Sequence, residues 1–188
     1  MSEYRYYQLS QTSIRLLRLL PSDKDANKLR CELFEYPLGN SDKPSYPYEA
    51  LSYVWGSEDK PKSITVNNQN LHITQNLYMA LLHLQDHLCS RVIWVDAICI
   101  NQKDDEEKSA QVALMGQIFR SAEATRVWLG EEADDSTRAL NFLTWIGGQR
   151  FSYSNRDRTS EELIEKLRMK NGPYAKDWAA VNNLFGRP

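Results

Sequence analysis

Between Thr74 and Gly130 the apolar residues switch between helical and strand spacing, and this alternation restricts the fold more than any other feature of the chain. In QNLYMALLHLQDHL, after Thr74, Leu77, Ala80, Leu81, Leu84 and Leu88 fall three and four apart, the spacing of one helix face, and Thr74 is a suitable N-cap. RVIWVDAICI, residues 91–100, is then a continuous apolar run of the kind found in strands buried on both faces. DDEEKSAQVALMGQIFRSA returns to helical period through Gln111, Val112, Met115, Ile118, Phe119 and Ala122, and TRVWLG, 125–130, is a second short strand. Asp104 with Glu107 three residues on resembles a capping box, and the acidic residues 104–107 otherwise read as a solvated helix start. Helix, strand, helix, strand with short links implies parallel strands joined by crossovers, hence an α/β core.

Upstream the period is two. IRLLRLL (14–20) is apolar apart from Arg15 and Arg18, and LRCELFEY (29–36) alternates with Leu29, Cys31 and Leu33 inward. YEALSYVWG (48–56) is a short apolar strand ending in glycine, and SITVNNQNLHIT (63–74) reads as a hairpin turning at Asn67-Asn68-Gln69-Asn70. Downstream, 134–146 forms a helix capped at Asp135 or Ser136. Residues 149–160 are polar, and helices follow around 160–170 and 174–185. The expected organisation is one domain over 1–188: a β-rich lead-in (1–47), an α/β core (48–130) and a helical segment (131–188).

The totals narrow the function classes. A formal charge of −2 offers no electrostatic footprint for nucleic acid or anionic membrane. No apolar run approaches the roughly 18 residues of a spanning helix, and MSEYRYYQLSQ has no apolar signal region. Three cysteines without such a signal argue for reduced thiols, and neither they nor the three histidines have metal-ligand spacing. The expectation is a cytoplasmic chain with no metal and no tightly bound cofactor. No Gly-x-Gly-x-x-Gly and no Walker pattern occurs.

Asp96 is the anomaly. An ionised carboxylate inside an apolar run is costly unless something pairs with it. In open parallel sheets ligands sit beyond the carboxyl ends of the strands, which would bring Tyr53, Trp55, Gly56, Asp96, Asn101 and Gln102 to one rim. Carboxylates and amides so arranged can grip ribose hydroxyls or an amide-bearing base. Two readings stand for each group: Asp96 as site or as a structural acid accepting main-chain N–H bonds, Asn101 and Gln102 as ligand contacts or loop braces. Trp55 can stack on a ligand or pack. Cys99 reads as a small packed hydrophobe, with a nucleophilic role as the outside alternative.

YEALSYVWG at 48–56 followed by VIWVDAICINQKDDEEKSAQVALMGQIFRSAEATRVWLG at 92–130 resembles the fungal heterokaryon-incompatibility (HET) domain, and IRLLRLLPS with LRCELFEYP resembles its lead-in. The resemblance implies a module that triggers regulated cell death after non-self recognition, fused to sensor or repeat domains and self-associating. HET domains are in turn distantly similar to TIR domains. That similarity implies a flavodoxin-like parallel sheet and cleavage of NAD, as substrate, at the nicotinamide–ribose bond in the full-length protein. The corresponding glutamate would fall in an Arg-x-Trp-x-x-Gln-Glu block that these residues do not contain. The expectation is that it lies beyond Pro188 and that residues 1–188 are inactive on NAD. The alternative is a non-catalytic homotypic association module.

Overall fold

The computed structural model describes residues 1–10, 12–22, 28–38, 46–148, 165 and 171–186. Seven strands form one mixed sheet: β1 (Ser13–Leu19), β2 (Arg30–Pro37), β3 (Glu49–Tyr53), β4 (Lys62–Val66), β5 (Gln69–Ile73), β6 (Arg91–Trp94) and β7 (Ala124–Trp128), in the order β5-β4-β2-β1-β6-β3-β7. The chain is therefore α/β.

The parallel part is the one the alternating periods predict. β3 runs parallel to β7 through five pairs, Glu49 opposite Ala124 to Tyr53 opposite Trp128, and parallel to β6 on its other side. After β3 the chain makes the β4–β5 hairpin at the far end of the sheet, returns to β6 on one flank of β3 and then crosses to β7 on the other. The strand order thus reverses at β3, and a crevice at such a reversal is where doubly wound sheets bind ligands.

The lead-in is built into the sheet rather than laid beside it. β1 pairs antiparallel with β2 along its whole length and antiparallel with β6, so it lies in the interior of the sheet. This explains why Ile14, Leu16, Leu17 and Leu19 are all buried: both faces of β1 are covered. β2 alternates as expected from Arg30 to Leu33, with Cys31 and Leu33 buried and Glu32 exposed, and then departs from it: Phe34 and Glu35 are both half-buried and Tyr36 is buried. The β4–β5 hairpin turns at Asn67 and Asn68, with φ of 47° and 63°, the left-handed backbone that asparagine tolerates. Asn67 also extends the β2–β4 edge, its amide accepting from Leu33 N at 3.0 Å and donating to Leu33 O at 2.8 Å. At the β5 edge the N-terminal arm adds a bridge between Glu3 and Asn70.

Helices α1 (Gln75–Leu84) and α3 (Asp105–Ser121) start where expected, with Thr74 Oγ1 accepting from Leu77 N and Asp104 from Glu107 N. Three expectations are corrected. The first helix stops at Leu84, because Asp86 turns its carboxylate onto the N–H groups of Leu88 and Cys89 and closes a tight turn; Leu88 is left 88% exposed. On α3, Val112 is exposed and Leu114 packs against the core instead. The run 91–100 is not one strand: β6 ends at Trp94 and Asp96–Cys99 forms a single helical turn, α2. A short apolar run cannot distinguish a buried strand from a buried helical turn.

Residues 131–188 form a second compact unit. Within it α4 (Ser136–Gly148) and α5 (Ala175–Phe185) pack through Ala139, Phe142, Ala180, Val181 and Leu184. Tyr174 stacks on Phe142, and Trp178 meets the same ring edge-on. The expected helix near 160–170 and the polar stretch 149–160 fall outside the described residues, apart from Glu165.

Candidate functional site

β3 ends at Tyr53, and the chain continues through Val54, Trp55 and Gly56 at φ +71°, a left-handed backbone suited to glycine. β6 ends beside it, and Asp96 opens α2. These two exits meet: Trp55 Nε1 donates to Asp96 Oδ2 at 2.8 Å. The other carboxylate oxygen accepts from Ala97 N at 2.7 Å. Asp96 is half-buried, and burial pushes its carboxyl above the usual aspartate range, against the pull of the Trp55 and Ala97 hydrogen bonds.

Tyr53, the last residue of β3, lies close enough to feel the Asp96 charge. Its hydroxyl is buried and has no hydrogen-bond partner, and burial together with the Asp96 charge pushes its ionisation far up. Nothing lies within 4 Å of the space where a Gly56 side chain would begin. Trp55 keeps 40% of its surface exposed. The arrangement is a rim with a carboxylate, an exposed indole face and accessible backbone next to a buried phenol, able to accept hydroxyl donors while offering a surface for a flat ring.

The two amides play different parts. Gln102 Nε2 donates to the main-chain oxygen of Asp96 at 2.9 Å and so braces α2. The Asn101 side chain accepts from Lys103 N at 3.3 Å, folding over its own loop. Four of the six predicted rim residues therefore gather, and Asn101 and Gln102 hold the loop behind them.

Cys99 takes no part in the rim. It is fully buried, its sulfur accepts from Val95 N at 3.4 Å, and burial pushes the thiol up to about 12, which leaves it a protonated packing group.

Three features escaped the sequence reading. Asn76, in the first turn of α1, donates to Val54 O at 2.6 Å and accepts from Trp128 Nε1 at 2.8 Å, fastening the exits of β3 and β7 together. Arg15, in β1, is completely buried against Glu107, which is itself no solvated helix-start residue. Arg15 was as anomalous in its apolar strand as Asp96 in its run, so the same test of burial cost would have found it. At the opposite, amino edge of the parallel strands lies a cleft of about 300 Å³. There Glu49 accepts from Arg91 Nη1 at 2.6 Å and from Arg126 Nε at 2.9 Å. Asp86 and Glu123 also line it, so the net charge is unsuited to an anion.

Among the described residues no group of three His, Cys, Asp or Glu side chains is placed to hold a metal ion, and no helix is long and apolar enough to cross a membrane.

The family model of the heterokaryon incompatibility protein (HET) matches residues 48–187. Heterokaryon incompatibility protein 6, OR allele, of Neurospora crassa is 40% identical over an alignment that covers 80% of this chain. The chain spans 23% of that protein's length. No solved structure matches. The family match covers strands β3 to β7 and both exits that form the Trp55–Asp96 rim, and it extends over most of the chain: the chain belongs to the heterokaryon incompatibility family.

Proposed function

We propose that this chain is the signalling core of a fungal incompatibility protein that triggers regulated cell death on non-self recognition, and that the Asp96 rim holds NAD or a related nucleotide. The observation that carries the proposal is the Trp55–Asp96 hydrogen bond at the carboxyl edge, beside the strand whose neighbours reverse the order of the sheet. A ribose diol can replace the indole N–H as donor to Asp96, and the freed, half-exposed indole can stack on the nicotinamide or adenine ring. Cleavage of the nicotinamide–ribose bond builds positive charge on the ribose, which a nearby carboxylate stabilises. In this reading Asp96 binds and steadies the ribose, and the remaining chemistry belongs to the glutamate of an Arg-x-Trp-x-x-Gln-Glu block, which residues 1–188 do not contain.

The test is NAD consumption by a form extended through the Arg-x-Trp-x-x-Gln-Glu block. Wild type should release nicotinamide, and substitution of the block's glutamate or Asp96→Ala should abolish release.

A second reading, homotypic association without catalysis, is favoured by the apolar side chains near the same edge: Val54, Val127 and Leu129 are 53%, 62% and 48% exposed. Cell killing by full-length protein with both carboxylates replaced would select it.

A further inference from the structure

A four-residue helical turn cannot hold itself in place, because its last carbonyls have no partners within it. The partners of α2 are therefore informative. Asp96 O accepts from Ile100 N and from Gln102 Nε2. Ile98 O accepts from the Tyr6 hydroxyl at 2.9 Å. Cys99 O accepts from Arg15 Nη1 at 3.2 Å. Just beyond, Asn101 N donates to Glu107 Oε1 at 2.8 Å, and that oxygen also takes Arg15 Nη1 at 2.5 Å. Arg15 Nη2 completes a forked pair with Glu107 Oε2 at 3.0 Å and donates to Tyr7 O. The guanidinium lies over the rings of Tyr6 and Tyr7, at 5.0 and 5.2 Å from their centroids.

One buried ion pair thus joins β1, the N-terminal arm and the first turn of α3 to the far end of the turn whose near end carries Asp96. A buried pair of this kind is a poor source of stability compared with apolar packing, but its forked geometry fixes position well. Arg15 is 0% exposed and cannot meet a ligand.

We propose that Arg15 and Glu107 are positioning residues for the rim: together with Tyr6 they set where α2 sits and hence where Asp96 meets Trp55. The inference rests on the rim being the working site, yet its test needs no ligand.

In residues 1–188, amide exchange and the Trp55 indole N–H resonance are compared in wild type, Arg15→Lys, Glu107→Gln and Tyr6→Phe. Glu32→Gln, at the exposed Arg18–Glu32 pair of the neighbouring strands, is the control. Exchange over 97–101 should rise about tenfold or more in Arg15→Lys and Glu107→Gln while β1–β2 amides keep their rates, and the Trp55 resonance should move. Tyr6→Phe should give the same pattern more weakly, and it decides the matter if the other two variants do not fold. An even rise across the whole sheet, or an unmoved Trp55 resonance in every folded variant, overturns the proposal. This local pattern in the variants, together with wild-type protein that binds no NAD, would support the clamp and refute the nucleotide reading.

Discussion

The Trp55 indole and the Asp96 carboxylate, 41 residues apart in sequence, are joined by a 2.8 Å hydrogen bond that links the exits of two adjacent parallel strands. Asp96 bears the cost of this placement. Burial raises its folded-state pKa above the ordinary aspartate value of 3.8, so the favourable contribution of this group is complete below that value and is lost as pH rises through the folded pKa. At neutral pH the ionised group therefore weakens the fold. Asp96→Asn, whose amide oxygen can still accept from Trp55, should leave stability at about pH 7 within about 1 kcal/mol of wild type and on the stabilising side. Urea unfolding across the acid range checks this: the advantage of the variant should shrink as pH falls through the raised folded pKa of Asp96 and be gone below about 4. NAD affinity should drop at least about tenfold in the same variant.

The Arg15–Glu107 pair behaves in the opposite way when halved. Glu107→Ala strands a buried guanidinium and should cost about 3–5 kcal/mol, seen as loss of the folded baseline or a large fall in the urea midpoint. Burial by itself works against the Arg15 charge, and Glu107 outweighs it. Replacing both partners with apolar residues, Arg15→Met with Glu107→Leu, should recover much of that stability while leaving α2 poorly held.

Thiol chemistry should single out Cys89. Cys31 and Cys99 are buried with thiols pushed up to about 12, whereas Cys89 is exposed. Native protein at about pH 8 should take up one equivalent of an alkylating reagent, and Cys89→Ser should remove the reaction. Cys99→Ala should leave cell killing intact in the full-length protein.

Glu49 governs the amino edge. Burial works to raise its pKa, but the hydrogen bonds from Arg126 and Arg91 outweigh this and hold it below the ordinary glutamate value of 4.5. Its contribution is complete above 4.5 and is lost as pH falls through the folded pKa. Because Arg126 is half exposed, Glu49→Gln should cost only about 1 kcal/mol at neutral pH and nothing at low pH, as read from melting curves.

The parts of the fold that were legible in the sequence are those where local and long-range preferences agree. Thr74 and Asp104 cap helices where the sequence places them, Asn67-Asn68 turns the hairpin, and the strands holding Leu51, Ile93 and Val127 lie parallel as the alternating periods require. What misled was competition between local options. Asp86 preferred its own turn to another helical turn, and α2 found side-chain partners in Tyr6 and Arg15 that no strand pattern encodes. Of the rim, Trp55 and Asp96 could be anticipated from strand ends and burial cost. Asn76 could not, because a polar residue in a helical first turn looks the same whether it faces water or ties two strands together.

The most direct test of the account is an NAD titration of residues 1–188 followed on the Trp55 indole N–H resonance, assigned with Trp55→Phe. A saturable shift of that resonance is expected in wild type, none in Asp96→Ala, and no turnover in either. An unmoved resonance at millimolar NAD, or an equal shift without the carboxylate, would contradict it.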